Sequence, residues 1–240
     1  MNTLYIDIGN SRTKIAVYKE QEWEIIRIID RSHGADLIKL VEQNHSQYNE
    51  IQVSSVLKAV ADDLTVACPA DKLRMFTNKK IPHDRISYDD HDTLGVDRFL
   101  AATGAWSQNH KACIVVDAGT ACTIDYVDQK GVFRGGVIMP GLKSIEGELV
   151  NSAGALPPVE RIIPDEWPPK STKTGLQWGI FGSYIAAIEA HMNRLLKHNG
   201  NVETWLTGGD AELIKPLLSS EVIWDENLVF YGLRHMTGEH

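Results

Sequence analysis

Cysteine is scarce: Cys68, Cys113 and Cys122 are the three in 240 residues. An odd number without metal-ligand spacing excludes a disulfide framework and a zinc knuckle, so the three read as reduced, small core residues. The nine histidines pair at ligand spacing on no convincing helix. Long apolar runs are missing too, since the longest are broken by Asp117, Arg134 or Gly-Pro before membrane-spanning length. The chain enters a strand with no basic n-region or apolar h-region before it. A cytoplasmic protein with no membrane partner is therefore expected. Basic clusters are absent as well: 24 Lys and Arg stand against 32 Asp and Glu, a net charge of −8, with no Lys/Arg-rich run. That balance argues against broad binding to nucleic acid or anionic lipid. A polyanionic ligand would need local cationic help. With 43% apolar residues and no low-complexity segment, the chain can bury one large core or two modest ones.

What is present is a repeat. Leu4-Tyr5-Ile6-Asp7-Ile8-Gly9-Asn10 is echoed 110 positions later by Ile114-Val115-Val116-Asp117-Ala118-Gly119-Thr120. In each copy an apolar, β-branched run ends in Asp-x-Gly and a small polar residue. A second strand-like run follows (Lys14 to Tyr18; Thr123 to Val127), then a turn and a third (Trp23 to Ile28; Val132 to Ile138). A buried strand delivering an aspartate into a glycine turn lets backbone N–H groups meet phosphate oxygens while the carboxylate orients a metal or its waters. One Asp-Gly alone is ordinary hairpin punctuation. Two in register, facing each other, would clamp a nucleotide.

Between and after the copies the pattern is mixed α/β. Apolar spacing predicts helices over Ala35 to Asn44 and Ala59 to Cys68, with strands at Ile51 to Val56 and Leu73 to Phe76. Ile81 to Thr93 is polar and reads as a loop, ending at Gly95-Val96-Asp97-Arg98 and a small-residue helix from Phe99 to Trp106. A helix from Leu142 to Val150 precedes a proline-rich connection from Ala155 to Pro169. Thr174 to Leu196 is the longest helix candidate, and its Gly175, Gly179 and Gly182 permit close backbone approach. A strand at Glu203 to Thr207, a Gly208-Gly209-Asp210 turn, a helix from Ala211 to Leu218 and a final helix from Glu226 to Met236 complete the chain. The halves divide as residues 1–108 and 109–240.

Phosphoryl transfer needs in-line positioning, neutralisation of phosphate charge and a group to orient or deprotonate the attacking hydroxyl. Gly9 allows close approach, Asn10 and Ser11 donate hydrogen bonds, and Lys14 supplies positive charge or is simply a solvated strand residue. Gly95-Val96-Asp97-Arg98 sets a carboxylate beside a guanidinium at a helix start. The first can accept a hydroxyl proton and the second can grip a carboxylate in its planar fork. An isolated Asp-Arg pair there is otherwise a helix-start ion pair.

The duplicated unit and the late Thr207-Gly208-Gly209 turn resemble the acetate and sugar kinase, Hsp70 and actin superfamily, two ribonuclease-H-like domains holding ATP between them. Asp7-Ile8-Gly9-Asn10-Ser11, Gly95-Val96-Asp97-Arg98, Asp117-Ala118-Gly119-Thr120-Ala121 with Gly135-Gly136, and Pro140-Gly141, in this order, resemble type III pantothenate kinase more closely, from residue 3 to about 235. That resemblance implies phosphorylation of pantothenate by ATP with Mg2+, the first step towards coenzyme A, in a homodimer. It implies an ATP phosphate loop of Asp7, Ile8, Gly9, Asn10, Ser11, Arg12, Thr13 and Lys14, met from the other side by Thr120. Asp117 would hold a monovalent cation, K+ or NH4+. Asp97 would accept the proton, and Tyr88, Gly95, Val96, Asp97, Arg98 and Thr172 would contact pantothenate, Thr172 reaching the neighbouring subunit's site. Around Thr172 the sequence departs from the family, with Lys-Thr-Gly-Leu-Gln-Trp-Gly in place of Ala-x-Gln-Ser-Gly. Thr207-Gly208-Gly209 suits adenine or ribose, and equally an ordinary strand-to-helix turn. Alternatives on the same fold are a kinase of another small hydroxy acid or sugar, and a non-catalytic regulatory protein.

Overall fold

Alternation along Thr3–Ile8 (β1) sorts the first unit into two faces. In the computed structural model, which describes residues 2–153, 156–200 and 202–238, Leu4, Ile6 and Ile8 join Ile15, Val17, Ile51 and Val53 in one core. Tyr5 and Asp7 lie on the opposite face, as the period of two requires. The other strands of this sheet are Arg12–Lys19 (β2), Glu22–Asp30 (β3), Glu50–Ser55 (β4) and Leu73–Phe76 (β5). Their order is β3-β2-β1-β4-β5, with β1 antiparallel to β2 and parallel to β4. Gly34–Asn44 (α1) bears Leu37 and Val41, and Lys58–Ala67 (α2) bears Leu64, against the Leu4/Ile6/Ile8 face. Val96–Ser107 (α3) follows the polar loop.

The second sheet repeats the plan. Cys113–Ala118 (β6), Ala121–Val127 (β7), Phe133–Pro140 (β8), Glu203–Thr207 (β9) and Ile223–Trp224 (β10) stand in the order β10-β9-β6-β7-β8, the first order read from the other edge. In each, the first strand is antiparallel to the second and parallel to a later one, with the third on the second's outer side, the ribonuclease-H-like arrangement expected from the repeat. Leu142–Ala153 (α4), Thr172–Gln177 (α5), Ser183–Asn199 (α6) and Ala211–Ile214 (α7) complete this part. Its core joins Ile114, Val116, Ile124 and Leu206 to Tyr184, Ile185, Ile188 and Met192 of α6. The cysteines are free and buried. No helix among the described residues is long and apolar enough to cross a membrane.

Several expectations are corrected. The chain forms two compact units, residues 1–110 with 131–133 and 227–240, and residues 111–130 with 134–226. The last helix, Leu228–Thr237 (α8), placed in the second half by a boundary at 108/109, thus packs in the first. Phe230 and Tyr231 lie against Trp23, and Thr237 Oγ1 donates to Gln52 Oε1 at 2.7 Å. The long helix from Thr174 starts instead at Thr172, capped by Ser171, whose Oγ accepts the Thr174 N–H at 3.1 Å. A π-helical turn, Trp178–Gly182, interrupts it, and a Cβ on Gly182 would lie 2.5 Å from the Trp178 ring. Gly175 and Gly179 face open space, not a close neighbour. The helix from Ala211 tightens to a 3₁₀ turn after Ile214, where Pro216 brings no N–H. Ala155, the start of the proline-rich connection, lies outside the described residues.

Candidate active site

Strand register builds the first row of polar side chains. Asp7 pairs with Lys14 on β2 and with Ser54 on β4, so the three neighbour one another on one face near the end of β1. Ser54 Oγ donates to Asp7 Oδ1 at 2.7 Å. Burial, with a smaller contribution from the Asp97 charge, pushes the Asp7 carboxyl from 3.8 up to about 6, against the lowering pull of Ser54 and Lys14. Beyond Asp7 the chain turns tightly, the Gly9 N–H donating to the Arg12 carbonyl at 3.0 Å, which leaves Asn10 and Ser11 exposed at the tip. Ile8 and Thr13 are buried, so any ligand contact from them is through the backbone. Arg12 forms an exposed ion pair with Asp30 at 3.5 Å.

The start of α3 carries the second group. Gly95 is the N-cap, and Asp97 Oδ1 accepts the Arg98 N–H at 2.9 Å, a favourable place for a carboxylate at a helix N-terminus. A Cβ on Gly95 would lie 2.6 Å from that same Oδ1, so glycine leaves the carboxylate its room. Val96 is buried and offers backbone alone. Arg98 is only 8% exposed. Its guanidinium lies over the ring of Phe133, 5.5 Å from the centroid, and the Tyr88 ring meets Phe133 edge-on at 6.1 Å. Phe133, 1% exposed, is thus the plate on which both acceptor-side candidates rest. It is fixed there by a parallel bridge to Ile86 and by the Ser87 N–H donating to its carbonyl at 2.8 Å. Sequence reasoning missed Phe133; an aromatic at the end of a Gly131-Val132 turn was its one local sign.

The second unit repeats the row. Asp117 on β6 pairs with Thr123 on β7 and Thr207 on β9, the counterparts of Lys14 and Ser54. The Gly119 N–H donates to the Ala121 carbonyl at 3.1 Å, and Thr120 is exposed at the tip. Gly208, at φ +96°, passes so near that a Cβ would lie 2.5 Å from Asp117 Oδ1. That glycine leaves the carboxylate a cradle that a side chain would fill. Among the described residues no group of three or more His, Cys, Asp and Glu could hold a metal ion. Magnesium held through substrate phosphates and waters would need one or two protein carboxylates, and Asp7 could supply one. Thr172 opens α5 in the second unit, exposed.

The family model described as type III pantothenate kinase matches residues 3–194. The type III pantothenate kinases of Geotalea daltonii and Citrifermentans bemidjiense are each 32% identical, covering 96% of this chain and 96% of theirs. Among solved structures, one from Campylobacter jejuni assigned to the Baf family of transcriptional activators covers 98% of each chain at 20% identity, with a TM-score of 0.68. One from Listeria monocytogenes assigned as an N-acetylmannosamine kinase covers the same share at 9% identity, with a TM-score of 0.55. At these identities the structures show the shared fold, while the full-length sequence matches go further: the chain belongs to the type III pantothenate kinase family.

Proposed function

We propose that this protein transfers the γ-phosphoryl group of ATP to the primary hydroxyl of pantothenate, giving 4'-phosphopantothenate at the first step towards coenzyme A. The observation that carries the reading is the Asp97-Arg98 pair at the start of α3, with Arg98 and Tyr88 both set against Phe133. A largely buried guanidinium fits a small carboxylate acceptor, which pantothenate is, better than a neutral sugar. Asp97 takes the hydroxyl proton as the oxygen attacks. Its neighbour Asp7, held by Ser54, raises the negative charge at that spot and so favours a cation there. Magnesium bound with ATP supplies neutralisation of the charge that builds on the phosphates.

Each glycine turn suits nucleotide phosphates through its backbone N–H groups, the first aided by Asn10, Ser11 and Lys14 and the second by Thr120. Asp117 holds K+ or NH4+ and so keeps its own charge from repelling the triphosphate. Thr172, on a capped and exposed helix start, contacts pantothenate across a homodimer. A coupled ADP-release assay with ATP and magnesium over a panel of acceptors tests the substrate. Release with pantothenate and little with sugars or other hydroxy acids is the expected result, and a better acceptor elsewhere in the panel would overturn the assignment.

A further inference from the structure

Arg161 lies in the proline-rich connection, outside every group assigned above. Its guanidinium makes a forked pair with Glu146 of α4, Nε to Oε1 at 2.8 Å and Nη2 to Oε2 at 2.7 Å, while Nη1 donates to Asp210 Oδ1 at 3.2 Å. All three side chains are partly buried, the setting in which a bidentate, charge-assisted pair is both strong and geometrically specific.

What the clamp joins gives it meaning. Glu146 follows the first turn of α4, and there the Gly141 N–H and Ser144 Oγ both donate to the Thr120 carbonyl, at 3.2 and 3.4 Å. A Cβ on Gly141 would strike the carbonyl oxygens of Gly119 and Thr120, so α4 begins in direct backbone contact with the turn. Asp210 ends the Gly208-Gly209-Asp210 turn, its N–H donating to the Ala118 carbonyl at 2.9 Å, with Gly208 against the Asp117 carboxylate. The 117–120 turn is therefore gripped from two sides, and Arg161 ties the two grips together. Arg161 is itself presented by its neighbour: buried Gln177 donates Nε2 to the Glu160 carbonyl at 3.3 Å, and Lys173 pairs with the Glu160 carboxylate at 3.3 Å. Without the guanidinium, Glu146 and Asp210 would add two uncompensated carboxylates to the surroundings of a turn that has to accept a polyphosphate.

We propose that Arg161 is a positioning residue for the nucleotide-phosphate turn. By holding α4 and the 208–210 turn together it sets Asp117 and Thr120 for the nucleotide and its cation, and it acts on nucleotide affinity without acting on pantothenate. The proposal rests on the reading of 117–120 as the nucleotide side. Arg161→Gln, Arg161→Lys and Thr120→Val in the full chain separate the two. ADP binding is measured by calorimetry in potassium buffer, KM is measured for each substrate, and melting is recorded on the same preparations. Arg161→Gln is expected to weaken ADP binding and raise the KM for ATP by about tenfold, the size of one charge-assisted hydrogen bond, with the KM for pantothenate unchanged. Arg161→Lys keeps the charge but not the fork and should fall between. Wild-type ADP affinity in Arg161→Gln, with or without a lower melting temperature, would overturn the positioning role. Wild-type affinity in Thr120→Val would overturn the reading of the turn itself. If Arg161→Gln does not fold, Glu146→Gln and Asp210→Asn each release one grip, and unchanged ADP affinity in both would overturn the proposal.

Discussion

A carboxyl raised from 3.8 to about 6, as in Asp7, weighs against folding at neutral pH. Between those values the folded chain holds a proton that the unfolded chain has lost, so stability falls as pH rises through about 4 to 6 and the loss is complete above that window. That rise corresponds to about 3 kcal/mol. Asp7→Asn should therefore melt higher than wild type at about pH 7.5, and the gain should vanish at about pH 4, in scans without nucleotide or divalent cation. A gain confined to the acid side would contradict the burial argument. The same variant should lose turnover, since Asp7 belongs to the phosphate loop proposed above. At Arg98, lysine replaces a fork by a point charge, so the KM for pantothenate should rise in steady-state assays while ATP affinity holds. Asp7, Asp97 and Arg98 were legible in the sequence because each sits in a short motif with its own chemistry. Phe133 was not, because its role depends on one bridge to Ile86, 47 positions earlier in the chain.

Helices α3 and α8 meet at their backbones. A Cβ on Gly104 would strike the Leu228 carbonyl, and one on Gly232 would strike the Leu100 carbonyl, so two glycines, one from each helix, set the crossing. Since α3 carries Asp97 and Arg98 at its first turn, this crossing bears on the site. Gly232→Ala should destabilise by about 1–3 kcal/mol or more through overpacking. Denaturant melts would register the loss, and wild-type stability would mean that the helices separate freely. The strands were readable to within two or three residues because period-two patterning and the glycine turns act locally. The partner of α8 was not readable, because a helix with an apolar stripe does not say which sheet it covers, and its sheet is formed more than 150 residues earlier. The π turn at Trp178–Gly182 and the two-residue strand β10 likewise arise from tertiary packing, with no periodicity of their own.

With a net charge of −8, the whole molecule has to bind a triphosphate against its own field. That burden falls on local donors and on cations. Replacing sodium by potassium or ammonium at constant ionic strength, with magnesium present, should raise the rate; equal rates would remove Asp117 from the cation role. The dimer inferred from Thr172 should appear as twice the chain mass in light scattering at micromolar concentration, and a monomer there would count against it. The central claim is that Asp97 takes the proton of pantothenate's hydroxyl as phosphate arrives. Phosphorus NMR of reactions with ATP, magnesium and pantothenate, run with wild type and Asp97→Asn at matched folded concentration and matched nucleotide occupancy, tests it most directly. The account predicts a 4'-phosphopantothenate signal with wild type and a rate about 10²–10⁴-fold lower with Asp97→Asn. Near-normal product formation per folded molecule of the variant would contradict it.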